Sequence, residues 1–232
     1  MFNDIPGQIY STLITNGRWT LFANGLLVTL MIAGIAVVLG VVIGSVVAIA
    51  KVNAHQNKRL KWLEIICDFY ITVIRGTPIV VQLLIMYYII FAAASSDMAP
   101  YVAALAFGIN SGAYVAEIVR AGIQSVDRGQ SEAGRSLGLT NGMTMREIVF
   151  PQAIKNILPA LGNEFIVLFK ETAIVGLVAV SDLTRAADLV RSRTFLPLVP
   201  LLFIALVYLA IVLIISWVLR KMEYRLAQSD AR

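Results

Sequence analysis

Residues 21–50 read LFANGLLVTLMIAGIAVVLGVVIGSVVAIA, a stretch with no charged side chain anywhere in it. A helix crosses the hydrocarbon core of a bilayer with about 20 apolar residues, so this run spans it with length to spare for tilt, a kink or an interfacial overhang. Its apolar residues are continuous instead of alternating at every second position, which suits a helix in lipid and not a barrel strand.

Working outward from it, four more apolar runs follow: Leu63–Ala94, Pro100–Val119, Ile157–Val180 and Leu196–Leu219. The composition agrees. Hydrophobic residues make up 59% of the 232 residues and charged residues 14%, against roughly 25% charged in soluble domains. The expected fold is all-α: one transmembrane domain over residues 1–232, with about five spans. The first twenty residues include Asp4, Pro6 and Arg18 and lack the apolar core of a cleavable signal, so the first span is expected to act as an uncleaved insertion signal.

Several functions are excluded early. One histidine and one cysteine, His55 and Cys67, leave no disulfide framework, no Cys/His metal site and little scope for a nucleophile–histidine relay. Neither G-x4-G-K-[S/T] nor G-x-G-x-x-G occurs, so no nucleotide or other cofactor is expected on this chain. His55 reads as a surface residue in a basic loop and Cys67 as a small packing residue.

The net charge of +5 is a topology signal. Segments Lys51–Lys61, Arg120–Lys155 and Arg220–Arg232 fall on one face and hold thirteen of the 19 lysines and arginines. The opposite face has Arg18, Arg185, Arg191 and Arg193. The basic face is therefore expected in the cytoplasm, with the N-terminus outside and the C-terminus inside. Nucleic acid as a partner would need these residues gathered on one surface, which they are not.

The longest segment between spans, Gly122–Gln152, repeats apolar residues among polar ones and does not read as disorder. Ala133 and Leu137 lie four apart on one helical face. Gly138 suits the left-handed position past a helix end. Thr144 and Glu147 have the spacing of a capping box for a second helix, and Pro151 is expected to stop it. Two explanations stand for the first helix. Interfacial helices show many basic residues and bulky anchors, whereas this one offers the small Ala133, Gly134, Ser136 and Gly138 as a contact face for a protein groove.

At these residues the chain resembles a known family. Glu132-Ala133-Gly134-Arg135-Ser136-Leu137-Gly138, followed by Pro151-Gln152-Ala153 and Leu158-Pro159, resembles the "EAA" loop in membrane subunits of bacterial ATP-binding-cassette importers. Arg75-Gly76-Thr77-Pro78 with Gln82-Leu83, and Leu161-Gly162-Asn163-Glu164, resemble its polar amino acid permease branch. Gly134 departs from the pattern, where the family usually has a second alanine. The resemblance implies a type I importer subunit in the bacterial inner membrane. Such subunits pair, with an identical or similar subunit, around a central pathway. The helix near Ser131–Leu139 inserts into a separate ATPase subunit, which binds the ATP, and an extracytoplasmic binding protein delivers the amino acid. Coupling residues implied are Ser131, Glu132, Ala133, Gly134, Ser136, Leu137 and Gly138.

Charges inside apolar runs cost about 2.5–3.5 kcal/mol on insertion scales and are functional candidates by default. Arg75-Gly76-Thr77-Pro78 interrupts the second run. Arg75 and Thr77 then line the pathway, or Arg75 snorkels to the interface while Pro78 merely kinks a helix. In the fourth run Asn163, Val167 and Lys170 share one stripe, and Glu164, Leu168 and Glu171 the next. Asn163 and Glu164 are read as pathway residues; Lys170 and Glu171 are either that or a structural charge pair. An amino acid carries a carboxylate and an ammonium, which Arg75 and Glu164 would answer in turn. Gly40 and Gly44 mark close helix packing or a lipid-facing coincidence. The stretch Ser181–Thr194 resembles the region facing the binding protein, or is a solvated loop. Two rival classes remain: an ion-coupled secondary transporter using Glu164 and Glu171, and a membrane scaffold that needs no polar stripe.

Overall fold

A computed structural model describes residues 4–56 and 58–228, apart from the side chains of residues 55–58, 227 and 228. The side chain of His55 and residues 229–232 of the basic tail thus lie outside the described residues. Among the described residues every regular element is helical. Helix α1, Ile5–Ile9, is capped by Asp4, whose carboxylate accepts the Gly7 N–H at 2.9 Å. Helix α2, Trp19–Gln56, contains the whole of the run that opened the sequence reading. Its 38 residues extend about 57 Å at 1.5 Å per residue.

The second run is two helices: α3, Lys61–Gly76, and α4, Ile79–Ile85, which passes into a π turn at Met86–Ile90. The break falls at Pro78, the extended N-cap of α4 with ψ 135°, because its ring disfavours the helical conformation of Thr77 before it and its nitrogen has no hydrogen to donate. Helix α5 is Ala99–Gln124. After it come α6, Arg128–Ser136, and α7, Asn141–Thr144. Helix α8, Phe150–Glu171, runs into a 3-10 segment, Thr172–Val178, and is followed by α9, Leu183–Thr194, and α10, Leu198–Gln228.

By length and composition three helical stretches can cross a membrane, Trp19–Ala54, Ser96–Gln124 and Leu198–Leu226, with α3 and the following Ile79–Ile90 a fourth where that bent pair is one span. The expected fourth run is helical over Phe150–Glu171 and less apolar than those stretches, with Asn163, Glu164, Lys170 and Glu171 in it. Three other expectations are corrected. The second loop helix is capped by Thr140, whose hydroxyl accepts the Met143 N–H at 3.3 Å, and not by Thr144, which is buried in its last turn. Pro151 does not stop that helix: a π turn, Met145–Val149, leads directly into α8 with Pro151 in its first turn. Finally, Ser181–Thr194 is not a loop. Asp182 caps α9 by accepting the Thr184 and Arg185 N–H groups at 3.1 and 2.9 Å, and Leu183, Ala186, Ala187 and Val190 are buried.

The chain divides into two compact units, residues 1–38, 77–108 and 166–215, and residues 39–76, 109–165 and 216–232. The first is built on Ile32, Ala36, Leu83, Phe107, Leu168 and Val175, with a second cluster where Phe22, Leu183, Val190 and Ile204 meet. The second unit packs Ala48, Val115, Val119, Ala153 and Ile157. In it Gly40 and Gly44 face α5: a methyl group at Gly44 would stand 2.5 Å from Val115 Cβ, and one at Gly40 2.8 Å from Ser111 Cβ. The glycine step is therefore a packing contact between α2 and α5, as small residues in membrane helices allow.

Candidate functional site

The loop between α5 and α8 is built from its caps. Asp127 starts α6 by accepting the Gly129 N–H at 2.6 Å. Gly138, at φ +84°, ends it: its N–H bonds the Arg135 carbonyl at 2.9 Å and the Leu139 N–H bonds that of Gly134 at 3.1 Å. These two bonds are the Schellman pattern, which needs a residue tolerant of the left-handed region.

The small residues expected to form one contact face do not do so. Gly134 is buried against this same segment, where a methyl group would stand 2.8 Å from Ile148 Cδ1 and 3.0 Å from Thr144 Cγ2. The exposed face of α6 carries Glu132, Ala133, Arg135 and Ser136 and ends in Leu137, 82% exposed. Ser136 turns its hydroxyl back to the Glu132 carbonyl at 2.9 Å. An exposed leucine and an exposed alanine, one helical turn apart, form an apolar knob that is uncovered among the described residues.

Arg75 stands in the last turn of α3. The carboxylate next to it is Glu117 of α5, 3.6 Å away, and its guanidinium lies over the Tyr114 ring at 5.2 Å from the centroid. Glu117 also takes two hydrogen bonds from Arg120, at 3.0 and 2.8 Å, and lies 3.9 Å from Lys51, itself 2.6 Å from Asp68. Lys51, Asp68, Glu117 and Arg120 border an open cleft of about 560 Å³, lined also by Glu64 and Gln124. Sequence reasoning missed Glu117 and its company. The signal was present, since Glu117 is an ionisable residue within the third apolar run and met the same criterion as Arg75.

Along α8, Asn163, Val167 and Lys170 are exposed, while Glu164 and Glu171 are half-buried. Glu164 accepts the Ser111 hydroxyl at 3.1 Å. Thr77 accepts from Gln82 Nε2 through both its hydroxyl, at 2.8 Å, and its carbonyl, at 3.1 Å. On α9, Asp188 joins Arg185, at 3.2 Å, and Arg191. The hydrogen bond from Arg191 holds the Asp188 carboxyl below the usual range, whereas burial pushes that of Asp182 up against the lowering effect of its backbone donors.

A family model described as "binding-protein-dependent transport system inner membrane component" matches residues 40–228, taking in α6, the Arg75–Glu117 group and the polar stretch of α8. The chain belongs to that family. Among its relatives is a putative glutamine transport system permease protein of Rickettsia bellii, 40% identical over 207 residues that cover 89% of this chain and 93% of that protein. The arginine transport system permease protein of Bacillus subtilis is 38% identical over 208 residues, 89% of this chain and 93% of that one. A solved structure described as an amino acid ABC transporter with histidines matches with a TM-score of 0.82 and 47% identity, covering 89% of this chain and 94% of that chain. This inner membrane component is thus a transporter subunit and not an enzyme, with a multi-pass helical fold.

Proposed function

We propose that this chain is the permease subunit of an ATP-driven, binding-protein-dependent importer of polar amino acids. The observation that carries the reading is the agreement of relatives over nearly the whole chain: those named for glutamine and arginine transport, and a 47% identical structure described as an amino acid transporter. Two such subunits, identical or similar, enclose the pathway. A separate ATPase pair binds the ATP and grips α6, with Leu137 and Ala133 as the inserted knob and Ser131, Glu132, Ser136 and Gly138 framing it; Gly134 sets α6 against its own loop. An extracytoplasmic binding protein delivers the amino acid, and this chain holds no cofactor. The basic segments lie in the cytoplasm and the N-terminus outside.

Arg75 and Thr77 beside the helix break, and Asn163, Glu164, Lys170 and Glu171 on α8, are the pathway groups of this reading. Polar side chains on a membrane helix need water or protein opposite them. ATP binding and the loaded binding protein shift the access equilibrium only through their different affinities for its two states.

Purification through a tag on this chain, followed by weighing the subunits, tests the assembly. ATP hydrolysis by the purified complex with its binding protein is expected to rise when glutamine, arginine or histidine is added. Uptake in vesicles that needs no ATP and collapses with an uncoupler is the opposite outcome, and assigns the chain to ion-coupled transport.

A further inference from the structure

Three bases and two acids make up the group around Glu117, and the shares are unequal. Lys51 has Asp68 at 2.6 Å. Arg120 holds both oxygens of Glu117 and donates a third bond to Gln124 at 2.6 Å. Arg75 has the Glu117 carboxylate at 3.6 Å, beyond hydrogen-bond reach, and the face of Tyr114. Its planar fork of N–H donors, the geometry that suits a carboxylate, is engaged by neither.

Tyr114 and Glu117 lie three apart on α5 and so share a face. That face supplies a ring against the plane of the guanidinium and a negative charge near its edge. Arg75 needs such support, because Gly76-Thr77-Pro78 breaks the helix directly after it and no further turn of α3 packs beside it.

We propose that Tyr114 and Glu117 are positioning residues that hold the Arg75 guanidinium ready for the carboxylate of the transported amino acid. The ring fixes the plane of the fork, and the Glu117 carboxylate is the distant partner that the incoming carboxylate replaces. Glu117 remains bonded to Arg120 after the exchange, so no acid is left unpaired. The proposal rests on Arg75 as a pathway residue, and the test separates the two.

The probe is equilibrium binding of radiolabelled glutamine and arginine to the solubilised complex of this chain with its ATPase, without the binding protein. Agmatine, arginine without its carboxylate, serves as competitor. In the wild type, arginine is expected to bind at least tenfold more tightly than agmatine, and Arg75→Gln is expected to erase that preference. Tyr114→Leu is expected to weaken arginine binding about two- to fivefold, the range of a cation–π contact, without changing agmatine. Tyr114→Phe, which keeps the ring, stays within twofold of wild type. Adding Tyr114→Leu to Arg75→Gln is expected to change nothing further. No saturable binding, or an Arg75→Gln protein with its preference intact, overturns the role of Arg75 itself. An effect of Arg75→Gln alongside a silent Tyr114→Leu, or one that adds its full factor to Arg75→Gln, leaves Arg75 standing and overturns only the cradle.

Discussion

Gly134 and Gly138 stand four residues apart in the same helical turn and do opposite things. Gly138 is exposed at φ +84° with open space around it, so what a side chain meets there is its own backbone. An L-residue in that region costs about 1–2 kcal/mol. Gly138→Ala is expected to fray the end of α6 and lower substrate-stimulated ATP hydrolysis severalfold, while the subunit still inserts and assembles. At Gly134 the conformation is ordinary and the constraint is space. The nearest atom to an added methyl is the far end of the Ile148 side chain, at 2.8 Å, and helix propensity gains about 1 kcal/mol on going from glycine to alanine. Gly134→Ala is therefore expected to leave the melting temperature and ATPase rate of the complex close to wild type. A large loss would show that the Ile148 terminus has nowhere to move. The sequence singled out both glycines but set them on one face; only the packing of Thr144 and Ile148 separates them.

Two elements turned on local chemistry that a hydropathy scan does not register. The second apolar run breaks at Pro78 because of the proline ring, and the loop helix passes Pro151 through a π turn that runs directly into α8. The glycine step of α2 is the reverse case, a spacing whose meaning depended on what stood opposite. Gly44 faces the Val115 side chain and also the Gly112 carbonyl, at 2.7 Å from an added methyl. Backbone cannot move aside as a side-chain end can, and overpacking of this kind costs about 1–3 kcal/mol. Gly44→Ala is expected to lower the thermal stability of the purified subunit, and Val115→Ala in the same chain to restore part of it but not all. Full restoration would mean that the carbonyl contact carries nothing.

For the whole molecule the charge count makes a prediction independent of any single contact. Thirteen of 19 basic residues lie in segments read as cytoplasmic. With the buried Cys67 left in place, a cysteine at Asp97 is expected to react with a membrane-impermeant maleimide added to intact cells. A cysteine at Gly142 is expected to react only after the membrane is opened. The reverse pattern would invert the topology and place α6 out of reach of any cytoplasmic ATPase.

The sequence alone determined that this chain is helical, lives in a bilayer, and carries a structured loop before its fourth apolar run. It could do so because hydrophobic length, charge asymmetry and caps act over a few turns, within reach of a linear pattern. Tertiary structure decided which carboxylate stands by Arg75, which way Gly134 faces and what the glycine step packs against. Those outcomes depend on residues tens of positions apart, Arg75 with Glu117 and Gly44 with Val115, and no local periodicity encodes which distant side chain will arrive.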